Sequence, residues 1–194
     1  MNLNFQQSTM PKALKISFFI LAGLIVAVIA GFYIMKANTK KYSPEDLVVY
    51  EQDSLKIEVF YNRPFKKGRE IFGELIPYEE VWRTGANEAT TFKTNQDLTI
   101  EGSELKAGKY TLWTIPNETS WIVIFNENMY SWGVNFSDGK ASRIETFDAL
   151  KVEVPISKNL KSIEQFSIYF DEQFGTINMF LAWDDIVVPV SIKS

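Results

Sequence analysis

The sequence predicts an all-β domain, an antiparallel β-sandwich or partly closed barrel of about eight to ten strands, preceded by one N-terminal transmembrane helix. Two observations carry this. Residues 16–35 (ISFFILAGLIVAVIAGFYIM) run 20 residues without a charge, and after residue 46 apolar side chains recur every second position between closely spaced turn signals. A third observation narrows the chemistry: the chain contains neither Cys nor His.

Residues 1–15 form a polar leader carrying Lys12 and Lys15. The apolar span at 16–35 matches the thickness of a bilayer's hydrocarbon core, about 30 Å, and has no polar face of the kind a helix packed on a soluble core shows. Val28-Ile29-Ala30 fits a signal-peptidase site. The run continues past that site and follows a long leader, so an uncleaved signal anchor is the preferred reading. Lys12 and Lys15 on one side are balanced by Lys36, Lys40 and Lys41 on the other, which leaves the positive-inside comparison nearly tied. Gly23, Ala27 and Gly31 repeat every four residues and share one helix face, a spacing that admits a second helix from a homodimer or a membrane-protein partner. Residues 36–46 are polar, contain Ser43-Pro44 and read as a linker.

The β domain is expected over residues 47–194. Leu55, Ile57, Val59 and Tyr61 alternate with Lys56, Glu58 and Phe60, as a half-buried strand requires. Alternation returns at 90–93, 98–100 and 110–115, then at 121–125, where apolar residues fall on both faces. It continues at 144–154, 166–170, 177–183 and 186–192. Turn residues fill the gaps, among them Ser137-Asp138-Gly139, Gln173-Phe174-Gly175 and Asp184-Asp185. Pro189 removes a backbone donor from the last strand, which places it at an edge or a bulge. Helix within the domain is limited to a turn or two, around Tyr78 to Arg83.

Composition excludes several classes. Residues 1–41 hold five Lys and no acid, so the remainder carries 15 basic and 24 acidic side chains, a net charge of −9. That balance repels phosphate backbones and argues against nucleic acid as a partner. Without Cys there are no disulfides or thiolate metal sites, and without His the ordinary nucleophile relay and most zinc sites are unavailable. No cofactor, metal site or catalytic residue is assigned. The pairs Asp171-Glu172 and Asp184-Asp185 lack calcium-loop spacing and read as solvated turns.

One interval breaks the alternation. Tyr61 to Thr90 holds five cations (Arg63, Lys66, Lys67, Arg69, Arg83), five Glu and three of the four Arg in the chain. Arg grips carboxylates and phosphates with two parallel donors and stacks on aromatic faces. The functional reading makes Arg63, Lys67, Arg69 and Arg83 the contacts to an anionic or polar group of unknown identity. Tyr78 and Trp82 are then a stacking wall, and Asn87 and Glu88 the orienting groups. The same residue types also build an ion-paired cap on one end of a sandwich. A carboxylate-dependent hydrolase using a Glu pair such as Glu74 and Glu88 is a third reading. Locally, a turn at 65–68, a strand at 71–75 and a connection anchored by Trp82 are expected.

Tyr61, Arg63-Pro64, Lys67-Gly68-Arg69, Ile71-Phe72-Gly73, Leu75, Pro77-Tyr78 and the run VWRTGANEAT at 81–90 form a recognisable signature. Leu105, Ala107-Gly108, Tyr110, Ile115-Pro116, residues 121–126 and Trp132-Gly133 extend it. In these residues the chain resembles the domain of unknown function 2911 family, bacterial and typically exported proteins with no established activity. The resemblance implies a compact β-rich domain and export. It therefore tips the orientation toward a single-pass protein of the cytoplasmic membrane, with the C-terminal domain in the periplasm. A binding or interaction module is the leading function. An accessory subunit docked through the Gly23, Ala27, Gly31 face is the alternative.

Overall fold

In a computed structural model, which describes residues 11–194, the chain divides into two units, one ending at Thr39 and the other spanning Lys40–Ser194. Residues 1–10 of the expected polar leader lie outside the described residues. Helix α1 covers Lys12–Tyr42, none of its residues is buried, and Gly23, Ala27 and Gly31 are exposed along it. Pro11 stands immediately before its first residue, and the Pro11 carbonyl accepts bonds from Leu14 and Lys15 at 3.0 and 3.2 Å. The helix runs further than the linker expectation allowed. Lys36, Ala37, Lys40 and Lys41 are sound helix formers, the terminal Lys residues complement the helix dipole, and the break comes only at Ser43-Pro44.

Ten strands follow. They are β1 (Glu45–Gln52), β2 (Leu55–Asn62), β3 (Thr91–Thr94), β4 (Leu98–Ile100), β5 (Ser103–Leu105), β6 (Gly108–Pro116), β7 (Ser120–Asn126), β8 (Asp148–Pro155), β9 (Ser157–Gln173) and β10 (Thr176–Lys193). They form two antiparallel sheets, ordered β1-β2-β3-β6-β7-β8 and β5-β4-β10-β9, and neither sheet closes on itself. The fold is therefore a sandwich. Its core interleaves inward residues of both sheets, including Ile57, Val59, Phe92, Phe125, Met179 and Val190, all fully buried.

Several elements differ from their sequence expectation. The predicted strand at 71–75 is a tight turn, in which the Ile76 amide donates to the Ile71 carbonyl at 2.8 Å and Gly73 takes φ 94°. No helix forms around Tyr78. Asp184-Asp185 is not a turn between two strands: β10 runs through it with register shifts on either side of Asp184, whose φ is 53°. The bulge lets one strand bend without ending. Strand β1 and the first half of β9 were not expected because they are edge segments: β1 turns only Val48 and Tyr50 toward the core, and the side chains at the start of β9 are exposed. Pro189 stands between the end of the β9 ladder at Val187↔Ser157 and the start of the β4 ladder at Ile192↔Ile100, where no donor is demanded of it.

A smaller cluster on the outer face of β6 and β7 positions the site. Trp113, Ile124 and Ala89 are buried there with Val81, Ile115, Tyr130 and Ala141 against them. The apolar outer face of β7 is thus covered at Ile124 and open to solvent at Ile122.

Candidate functional site

The run 82–90 folds into a loop bonded to itself and to its neighbours. The Trp82 amide and carbonyl pair with Thr114 at 2.7 and 3.0 Å, which fixes the loop to β6. The Trp82 indole donates to the Gly85 carbonyl at 3.1 Å, and the Thr90 hydroxyl donates to the Thr84 carbonyl at 2.7 Å. Thr84 and Asn87 take left-handed φ values of 53° and 57°, and Gly85 lies at 148°. A Cβ on Gly85 would stand 2.8 Å from the Asn62 carbonyl oxygen, so the close approach to β2 demands glycine.

The acid of this loop faces the end of α1. Lys40 forms an ion pair with Glu88 and donates to the Asn62 side-chain oxygen at 3.0 Å, while the Asn62 amide donates to Glu88 at 3.1 Å. Asn62 is fully buried. Lys40 also reaches Glu45 at 2.5 Å.

Beside the loop opens a cleft of about 1120 Å³. One wall is Tyr42, Pro64, Phe65, Lys67 and Arg69, another is Leu75, Ile76, Pro77, Glu80 and Val81, and the loop supplies Arg83, Gly85, Ala86 and Asn87. The segment 134–143 completes it. That segment is a short hairpin, with Val134 bridged to Ala141 and the Asn135 amide donating to the Lys140 carbonyl at 2.8 Å. It docks through Gly133, whose amide donates to the Asn87 carbonyl at 2.9 Å. The stem of Arg83 lies across Gly133 so closely that a Cβ there would fall 2.2 Å from the Arg83 Cδ.

Arg83 is the unusual group. Its Nε is shut off from solvent with no hydrogen-bond partner, and its guanidinium makes no hydrogen bond or ion pair to any described residue. Burial alone pushes its pKa down. The other cations are differently placed. Arg69 donates to the Phe65 and Lys66 carbonyls, at 2.5 and 3.0 Å, and Lys67 lies 4.7 Å above the Tyr42 ring. Arg143 makes a two-point contact to Asp148 at 3.0 and 2.7 Å.

The structure thus brings five of the expected residues, Lys67, Arg69, Trp82, Arg83 and Asn87, to one cleft. Arg63 is not among them. It donates to the Phe166 carbonyl and the Ser167 hydroxyl at 3.3 and 2.9 Å and pairs with Asp46 at 3.2 Å, bracing one sheet against the other. Tyr78 faces away and lines a separate cleft of about 400 Å³ with Glu70, Glu118 and Asp185. Trp82 contributes only an edge, because its ring belongs to the core and is 8% exposed. The stacking wall of Tyr78 and Trp82 is therefore not formed, since Trp82 lines one cleft and Tyr78 the other. Glu88 is held by Lys40 rather than by the cleft.

Sequence reasoning missed Tyr42, Lys140 and Arg143. Arg143 was visible as the one Arg outside the signature, but the hairpin that carries it to the cleft has no period-two pattern to announce it.

One family's sequence pattern matches residues 43–192, from the residue after α1 to the last residue but one of β10. The chain belongs to the DUF2911 family of proteins of unknown function. No curated protein and no solved structure matches the chain. Within this DUF2911 domain the signature residues divide by position: Trp82, Gly85 and Thr90 shape the loop, Gly133 seats the hairpin, and Arg83 lines the cleft.

The Arg143–Asp148 pair gives the DUF2911 domain a measurable acid limit. The two side chains are 7% and 5% exposed, and Lys151 adds a contact to Asp148 at 3.1 Å. Burial opposes ionisation of Asp148, but bonds from Arg143, Asn126 and Lys151 outweigh it and hold the pKa below its ordinary value of 3.8. A depressed carboxyl pKa stabilises the fold above the unfolded value, and that stabilisation is lost as pH falls through the folded one. Asp148→Asn is expected to cost about 2–3 kcal/mol at pH 7, since it strands the buried Arg143 charge. It should also flatten part of the decline in denaturant midpoint below about pH 4. A variant whose midpoint tracks the wild type at both pH values would refute this.

Proposed function

We propose that the protein is a ligand-binding module, held at the cytoplasmic membrane by α1 with its β domain on the periplasmic side, and that the cleft takes an anionic group at Arg83. The observation that carries the binding reading is the unpartnered guanidinium of Arg83. A buried donor left without a partner costs about 1–3 kcal/mol, and Arg is the side chain best matched to carboxylate or phosphate. A ligand oxyanion in the cleft supplies the missing partner. The anchor reading is supported by the length of α1 and by its wholly unburied apolar surface.

The Arg83 charge therefore has opposite consequences for stability and for binding, and that sign is the test. Arg83→Met removes the uncompensated charge while keeping an aliphatic stem over Gly133. The ligand-free protein is expected to gain about 1–3 kcal/mol in chemical denaturation and to lose any stabilisation by oxyanions. If Arg83→Met destabilises the protein and leaves an oxyanion response intact, Arg83 is a structural group and the reading fails.

Anchoring has its own measurement. The full chain is expected to stay with membranes through alkaline extraction and to be digested by protease added to spheroplasts. Release by alkali would remove the anchor, and protection in spheroplasts would reverse the orientation.

A further inference from the structure

We propose that the ligand of this cleft is an amphiphilic anion, an organic molecule with a single oxyanion end group and an apolar body. The proposal rests on the reading of Arg83 above and adds the chemistry of the rest of the molecule. Three observations lead to it.

Size comes first. At about 1120 Å³ the cleft is as large as the pockets that hold whole organic ligands, about 300–1,000 Å³, and a lone oxyanion leaves nearly all of it to water.

Charge is the second. Arg143 is matched by Asp148, donors of Arg69 are occupied by two carbonyls, and the acids Glu80 and Asp138 share the lining with the exposed Lys67 and Lys140. Arg83 alone among these cations combines a buried Nε with no partner among the described residues. One oxyanion satisfies it, and a second would meet the acids.

The third is the character of the walls. Leu75, Ile76, Pro77, Val81 and Val134 present apolar surface to the cleft, and Leu75 remains 43% exposed although it lies inside a concavity. Covering a Leu side chain is worth about 1.5–3 kcal/mol, so an apolar body adds affinity that a bare ion lacks. Arg83 anchors the charged end, and the wall of Leu75, Ile76, Pro77 and Val81 takes the rest.

The test uses the full chain in lipid nanodiscs, with empty nanodiscs subtracted, and follows tryptophan fluorescence because Trp82 and Trp183 line the cleft. Three probes are titrated: phenylbutyrate, its uncharged amide phenylbutanamide, and acetate. Phenylbutyrate is expected to bind at least tenfold more tightly than either of the others. Arg83→Gln should remove the advantage over the amide, and Leu75→Asp the advantage over acetate. Equal affinities for phenylbutyrate and acetate overturn the apolar body and leave the anion reading standing. Equal affinities for phenylbutyrate and its amide, unchanged in Arg83→Gln, overturn both. So does the lack of a response to all three probes.

Discussion

Trp82→Ala is expected to cost the domain about 3–5 kcal/mol, read as a lower midpoint in chemical denaturation, because it empties the centre of an aromatic cluster. The indole stacks on Trp183 with centroids 5.9 Å apart and planes 20° from parallel. It also meets Phe166 at 5.0 Å and Trp121 at 5.9 Å edge to face. Phe72 closes the group, 5.0 Å from Trp121 and 6.5 Å from Trp82. Five rings from five separate segments meet here, so no neighbour can collapse into the space without breaking another contact. Domains of this size are stable by about 5–15 kcal/mol, and the variant gives up a large share of that. Trp82→Phe keeps a ring but loses the Nε1 bond to Gly85, and its midpoint should fall between the two. A Trp82→Ala protein within about 1 kcal/mol of wild type would remove Trp82 from the core.

Gly85→Ala acts on the backbone of the same loop. At φ 148° an alanine is strained, and its Cβ would press to 2.8 Å on the Asn62 carbonyl and 3.2 Å on the Thr90 hydroxyl. The strain costs about 1–3 kcal/mol and the crowding about the same again. The carbonyl cannot swing aside, because Asn62 ends β2 in register with Glu45 and its side chain is tied to Lys40 and Glu88. Alanine at Gly102 provides the control. That position also has positive φ, at 80°, but open space around it, so only the backbone term applies. If the two substitutions cost the same, the close approach to Asn62 carries no energy and the account of the loop is wrong.

Most of the sandwich was legible because its central strands bury alternate side chains, and that alternation is written in the order of residues from Leu55 to Tyr61 and again from Ile177 to Trp183. Its limits are equally physical. Edge segments carry a weaker signal: in β1 only Val48 and Tyr50 pack against the core, between exposed neighbours, and the start of β9 is exposed and held through backbone bonds that any residue can make. Asp184-Asp185 reads as a turn by composition, and only the ladders on either side turn it into a bulge within β10.

The sequence by itself determined the apolar N-terminal segment, the β class, the signature at 81–90 and the restriction to chemistry without His or Cys. These follow from local properties: uninterrupted hydrophobicity, a period of two and residue type. Which charges are matched is a different kind of fact. Arg63 and Arg83 are alike in sequence, yet one braces the two sheets through Phe166, Ser167 and Asp46 while the other is left without a partner in a cleft. The difference lies in segments more than a hundred residues further on in the one case, and in the hairpin seated on Gly133 in the other. Pairing depends on which distant groups the fold brings within about 3 Å, the range in which a hydrogen bond forms, and spacing along the chain does not encode that.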